Sequence, residues 1–242
     1  MSQDIATELK ALKLYLTERH PCSYLSDRIA TTAFVDPTIA IDTGVYSNLS
    51  RMGFRRSGRY FYTPRCELCS ACIPVRIPVK RFRPSRSQRR CINRNGSVEV
   101  RQHPLTELDP AEHYPLYAAY ISERHRDGDM YPPTAEQFQD FIATGHPSTS
   151  MLEFRTDGTL IANAITDRLD DGLSAIYTYF DPELGDSGIG TLAILRQIEL
   201  TEQLGLDYLY LGYWISACRK MNYKTRFRPL ELYNHGHWSE IP

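Results

Sequence analysis

Three cysteines at two-residue spacing, Cys66-x2-Cys69-x2-Cys72, are the sharpest chemical pattern in the chain. Thiolates this close together on a loop suit zinc or an iron–sulfur cluster. The run supplies three ligands, so Cys22 or Cys91 would have to add a fourth. A loop of structural thiols explains the same spacing equally well. A second constellation runs through Tyr177-Thr-Tyr179-Phe-Asp181-Pro182 and on to Asp186-Ser-Gly188-Ile-Gly190-Thr. Strand alternation sends Tyr177 and Tyr179 to one face, where core packing is their plain role. Asp181 closes that strand, as a working carboxylate or as the turn former of an Asp-Pro pair. Gly188 and Gly190 open a helix, where free amides can hold an anion or an oxyanion, or serve only as a helix entry. A third group is cationic. Ser85-Arg-Ser-Gln-Arg89-Arg90 and Trp214-Ile-Ser-Ala-Cys-Arg-Lys220 combine cations with hydroxyl or amide donors that can clamp phosphate or carboxylate. The serine-hydrolase elbow, the Walker loop, the zincin helix and the kinase set are all missing from the sequence.

These residues need elements to position them. Ile5, Leu9, Leu12 and Leu16 recur at helical spacing and predict a helix over 4–18. Residues 20–49 read as short strands and loops. Gly53-Phe-Arg-Arg-Ser-Gly58 and the following 59–62 predict a hairpin. Residues 75–79 alternate like a strand that Pro78 confines to an edge. Residues 97–101 predict another strand. Helices are expected over 110–127 and, capped by Thr134, over 135–143. Strands follow at 149–155, 159–169 and 173–180, then the Gly-containing loop, a helix over 191–204 and a buried strand at 208–211. The expected division is a basic, cysteine-containing α+β domain over 1–103 and an α+β domain over 104–242. The order strand, Gly loop, helix, strand resembles the core of the N-acetyltransferase-like (GNAT-like) fold. The long Gln/Arg-x-x-Gly signature of that fold is incomplete here, which argues against bound acetyl-CoA.

The chain has 242 residues, 42% apolar and 24% charged, which excludes wholesale disorder. No apolar run reaches the roughly 18 residues of a membrane span, and the N-terminus does not look like a signal peptide, so no membrane role and a cytoplasmic location are expected. The net charge of −1 hides an asymmetry: residues 51–101 carry 14 basic and 2 acidic side chains. Arg219, Lys220, Lys224, Arg226 and Arg228 form a second basic stretch. Meeting in space, the two would make a phosphate-binding surface with strong salt dependence. Tyr60, Phe61, Tyr62 and Phe82 lie among these cations, as suits stacked single-stranded bases.

Several runs together resemble the bacterial aspartate/glutamate leucyltransferases, grouped with the arginyl-tRNA–protein transferases. They are Cys22-x-Tyr24-Leu25-x-Asp27-Arg28, Leu49-x-x-Met52 through Gly58, Tyr62-x-Pro64 through Arg76, and Ser87 to Arg90. In the second half they are Tyr179 to Pro182, Tyr210 to Ile215, and Cys218-x-Lys220-Met221-x-Tyr223-Lys224. The resemblance spans about residues 20–234. It implies transfer of leucine from leucyl-tRNA to the α-amine of proteins beginning with Asp or Glu, marking them for N-degron proteolysis. It also implies a GNAT-like catalytic domain. An arginyl donor, a non-catalytic RNA-binding role and an acyl-CoA-dependent acetyltransferase are the alternatives. On this reading Asp181 handles the amine, amides of the Gly188–Gly190 loop or of splayed strands the oxyanion, and Tyr177 and Tyr179 the ester or terminal adenosine. Arg76 and Lys220, with Arg89 in reserve, meet the acidic side chain. Arg89 and Arg90 meet tRNA, and Trp214 and Lys224 complete the substrate contacts. No cofactor is required, although eukaryotic members are associated with an iron–sulfur cluster. That points to Cys22, Cys66, Cys69 and Cys72 as a ligand set for such a cluster or zinc.

Overall fold

The hairpin expected from the Gly53–Gly58 run is present, and it leads into the first of two sheets. The structure is a computed structural model that describes residues 12–241. The short strands β1 (Leu14–Leu16), β2 (His20–Pro21), β3 (Ile29–Ala30) and β4 (Thr32–Val35) come first. Helix α1 (Thr43–Arg51) follows, then the hairpin of β5 (Arg55–Ser57) and β6 (Tyr60–Pro64). Four of these strands form a sheet in the order β1-β4-β6-β5, and β2 pairs with β3 alone. Of the helix expected over 4–18, residues 1–11 lie outside the described residues, and Leu14–Leu16 is a strand. Helix α1 was not expected, because Gly44, Ser47, Asn48 and Ser50 are weak helix formers. Asp42 caps it by accepting from the Val45 amide, and Tyr46 and Leu49 bury one face. Packing decides this segment over propensity.

The second sheet has eight strands. They include β7 (Ile73–Pro78), β8 (Glu99–Pro104), β9 (Thr149–Thr156), β10 (Thr159–Arg168) and β11 (Gly172–Phe180). The last three are β12 (Tyr208–Trp214), β13 (Glu231–Asn234) and β14 (His237–Glu240). Their order is β14-β13-β7-β12-β11-β10-β9-β8. The expected division at 103/104 falls inside β8, and strands from both sides of it share this sheet. Strand β7 is interior rather than an edge. Pro78 is tolerated because β13 covers only Val75 and Arg76, leaving the Pro78 side without a ladder partner there.

Helices α2 (Arg86–Arg94), α3 (Pro110–Arg124), α4 (Ala135–Phe138) and α5 (Ile189–Gln203) cover the sheet. Thr134 caps α4 as expected, and a π turn over Gln139–Ala143 completes it. Leu195 and Ile198 of α5 pack on Leu173, Leu209 and Leu211. The opposite face meets Tyr117 and Ile121 of α3, with Met151, Ile165 and Tyr179. The four-stranded sheet docks on the eight-stranded one, Phe61 and the preceding Phe54 clustering with Leu169 and Tyr210. Arg56 fixes that docking. It is 1% exposed and grips Asp167, 0% exposed, with Nε to Oδ2 at 2.6 Å and Nη2 to Oδ1 at 2.8 Å.

An antiparallel meander, β8 to β11, passes through α5 into β12, which runs parallel to β11. That pairing covers only Gly172–Ser174 against Tyr208–Tyr210. Beyond it the two strands diverge, each still held on its outer side by β10 or β7. Backbone groups along the diverging edges face a cleft without a partner strand. This is the GNAT-like arrangement in an α+β chain.

Candidate functional site

The cleft between β11 and β12 takes its chemistry from two cations. Adjacent residues of a strand point to opposite faces, so Arg55 cannot follow Arg56 into the Asp167 anchor. It reaches the cleft instead. Its Nη1 donates to Ser174 Oγ at 2.8 Å and its Nη2 to the Ala175 carbonyl on β11. A Cβ built on Gly212 would lie 3.1 Å from Arg55 Nε. Gly212 has φ +78°, so glycine here serves both the bulge in β12 and the close approach of the guanidinium. Lys224 enters from the 3₁₀ turn Arg219–Arg226 and donates Nζ to the Tyr213 carbonyl on β12. One cation therefore holds each diverging edge. Arg55 is 8% and Lys224 7% exposed. Burial, reinforced by the Arg55 charge, pulls the Lys224 amine down to about 7. Among the described residues neither cation forms a salt bridge with a carboxylate. The Tyr223 ring lies 5.8 Å from Lys224 Nζ, and the Tyr177 hydroxyl is buried without a hydrogen-bond partner.

The structure redistributes several residues that the sequence singled out. Arg76 is committed internally: Nε pairs with Glu231 at 2.8 Å, and its guanidinium stacks on Tyr208 and Trp238. It is not available for a substrate carboxylate. Lys220 is exposed and paired with Asp127 at 2.6 Å. Tyr179 is fully buried, its hydroxyl shared with His113 Nδ1 and Asn163 Nδ2 at 2.9 Å. It is a core residue and touches no cleft. Trp214 lies partly buried against the α5 core. Asp181 accepts from the Glu183 amide at 3.0 Å and caps the turn Pro182–Ser187. It lies six residues along β11 from Ala175, roughly 20 Å at about 3.3 Å per residue.

The Gly188–Gly190 entry is packed on one side by the chain itself. Cys91 Sγ donates to the Gly188 carbonyl, and a Cβ on Gly188 would lie 3.1 Å from that sulfur. A Cβ on Gly190 would lie 3.2 Å from the Phe180 ring. Asn95 and Arg94 bind the Ser187 and Asp186 carbonyls. Helix α2 thus packs on one side of the loop and holds Cys91 there, apart from the other cysteines.

Arg86, Arg89, Arg90 and Arg94 project from α2 and are exposed. A capping box between Ser85 and Gln88 starts this helix. Gln88 Nε2 donates to the Arg226 carbonyl at 3.1 Å, and Phe82 stacks on Phe227. The two basic stretches therefore meet.

Cys22, Cys66, Cys69 and Cys72 line one cavity of about 510 Å³, with Arg28, Tyr213 and His235. Burial and the neighbouring thiols of Cys22, Cys66, Cys69 and Cys218 push the Cys72 thiol up to about 12. Tetrahedral zinc with Zn–S near about 2.3 Å holds its sulfurs about 3.8 Å apart. Among the described residues, the one group of three or more metal-ligating side chains with donor atoms within 4.8 Å is Glu112, His113 and Glu153. That group contains no cysteine, and Arg155 bridges its two carboxylates. The sulfurs therefore share a cavity, and no three of them lie within 4.8 Å of one another.

The fold and its cleft are GNAT-like, with a basic flank. Models of the arginine-tRNA-protein transferase N terminus and C terminus match residues 20–90 and 112–234. The chain belongs to the arginine-tRNA-protein transferase family. It is 52% identical over 235 residues to an aspartate/glutamate leucyltransferase of Marinobacter nauticus, covering 97% of this chain and 98% of that protein. It is 49% identical to an aspartate/glutamate leucyltransferase of Hahella chejuensis, covering 97% and 100%. Among solved structures, L-PGS from Bacillus licheniformis aligns at TM-score 0.47 and 10% identity, covering 59% of this chain and 45% of that one.

Proposed function

We propose that the chain transfers leucine from leucyl-tRNA to the α-amine of proteins that begin with Asp or Glu, marking them for N-degron proteolysis in the cytoplasm. The observation that carries the reading is near-complete, roughly half-identical correspondence with relatives named for that activity. Among the described residues no helix is long and apolar enough to cross a membrane. The joined basic face of α2 and the Arg219–Arg226 turn suits the phosphates of a tRNA acceptor end.

The chemistry asks little of side chains. The amine nitrogen attacks the ester carbonyl, a C–N bond forms, and the C–O bond to the terminal ribose breaks. The proton lost by the amine ends on the departing ribose oxygen. An α-amine titrates near about 7.7–8.0, so much of it is already neutral at physiological pH. Holding the two groups in attack geometry supplies on the order of 7–11 kcal/mol at best. Unpartnered amides along the splayed edges, with Tyr177 beside them, are the donors for the developing oxyanion. Asp181 is too distant to share that work with Arg55 and Lys224.

Cys22, Cys66, Cys69 and Cys72 are the thiolates that would hold an iron–sulfur cluster in their shared cavity. Iron retained after oxygen-free purification, and lost on replacing Cys72 with Ser, supports this; active protein without iron refutes it. The test of function is transfer of labelled leucine from leucyl-tRNA to a peptide beginning with Asp and not to one beginning with Ala. Labelling of neither peptide overturns the reading.

A further inference from the structure

We propose that Arg55 and Lys224 form the subsite that receives the acidic side chain of the protein substrate, seating its carboxylate where β11 and β12 diverge. This rests on the leucyl-transfer reading and names its specificity determinants. Burying a cation is costly unless an anion answers it. The chain observes that rule elsewhere: Arg56 meets Asp167 and Arg76 meets Glu231. Arg55 and Lys224 are as deeply placed, yet among the described residues they have only two carbonyls and a hydroxyl as acceptors. Those acceptors come from both diverging strands, and Gly212 and Tyr213, which the two cations touch, are neighbours in sequence. The charges therefore converge on one place.

A carboxylate fits that place better than a phosphodiester. The cations lie at the floor of a cleft within the sheet, whereas a nucleic-acid backbone must enter and leave its site. The exposed arginines of α2 already offer phosphates an open surface. Tyr223 is 41% exposed beside Lys224 and leaves the site a mouth. Tyr177, whose hydroxyl is buried and unpartnered, lies two residues along β11 from Ala175, roughly 7 Å along the backbone.

The test compares full-length wild type with Lys224→Met, using leucyl-tRNA and two peptides that differ only in beginning with Asp or Asn. Asn keeps the shape and removes the charge. The wild type favours Asp. In the variant the Asp/Asn ratio of kcat/KM falls on the order of 10²-fold, as expected when one partner of a buried charge pair is removed. Lys224→Arg keeps the cation and retains most of the ratio. Met removes an unanswered buried charge, so the variant folds, as its thermal melting shows. An unaltered ratio, or an effect on the KM for leucyl-tRNA in place of the peptide, overturns the subsite. Wild type that selects Asp beside a variant that still does so refutes the subsite alone. Wild type without transfer to either peptide refutes the leucyl-transfer reading itself.

Discussion

Replacing Asp167 with Asn tests how the two sheets are held and how Arg55 is aimed. Asp167 is fully buried and accepts from Arg56 Nε and Nη2, from the Tyr46 hydroxyl at 2.6 Å and from Thr149 Oγ1. Asn keeps one acceptor and presents an NH₂ group to a guanidinium that has only donors. Arg56 is then a buried cation without an anion, which costs about 3–5 kcal/mol. Against a total stability of roughly 5–15 kcal/mol this is a fifth or more. Urea denaturation followed by tryptophan fluorescence reads it as a lower midpoint at unchanged m-value. The double variant Arg56→Met/Asp167→Asn separates charge from packing. Its Asn can accept from Tyr46 and donate to Thr149, so most of the lost stability returns. Asp167→Asn costing under about 1 kcal/mol, or a double variant no better than the single, would refute the reasoning. Arg55 adjoins Arg56, so the single variant also loses transfer activity before it unfolds.

Three further outcomes follow from the geometry. Lys224 titrates near about 7 when folded and higher when unfolded, so the unfolded chain binds the extra proton between those values. Its penalty is full below pH 7 and fades above it; wild type therefore gains on the order of 2 kcal/mol relative to Lys224→Met between pH 7 and pH 9 in denaturation midpoints. Charge reversal at both Arg89 and Arg90 weakens tRNA binding and flattens log K against log[salt] by roughly 0.9 per lost phosphate contact; an unaltered slope removes α2 from the interface. Asp181→Asn preserves the turn cap and keeps transfer within about tenfold of wild type, whereas a catalytic carboxylate would cost roughly 10²–10⁴.

Local signals were legible wherever chemistry and period agreed. The hairpin with its Gly58 turn, the β9–β11 meander with turns at Asp157-Gly158 and Asp170–Gly172, and the Thr134 cap all formed where the sequence indicated. Long-range placement was not legible. Strand β7 became interior because β13, from the far end of the chain, pairs with it. The β13–β14 hairpin turns at His235-Gly236, whose φ values of 49° and 83° no apolar alternation announced. The Arg55-Arg56 pair lies inside a motif, and only its two-sided alternation on β5 hints at separate roles. Arg76 looked free because its partner, Glu231, is 155 positions away. Asp181 sat correctly at the strand end, but distance along β11 could be judged only after Arg55 was located.

The most direct measurement is single-turnover transfer of labelled leucine from leucyl-tRNA to peptides beginning with Asp, Glu, Asn or Gln. Labelling of the Asp and Glu peptides, with the amide analogues slower by at least about 10²-fold, is the predicted result. Equal labelling of acids and amides, or labelling only when arginyl-tRNA is supplied in place of leucyl-tRNA, would contradict it.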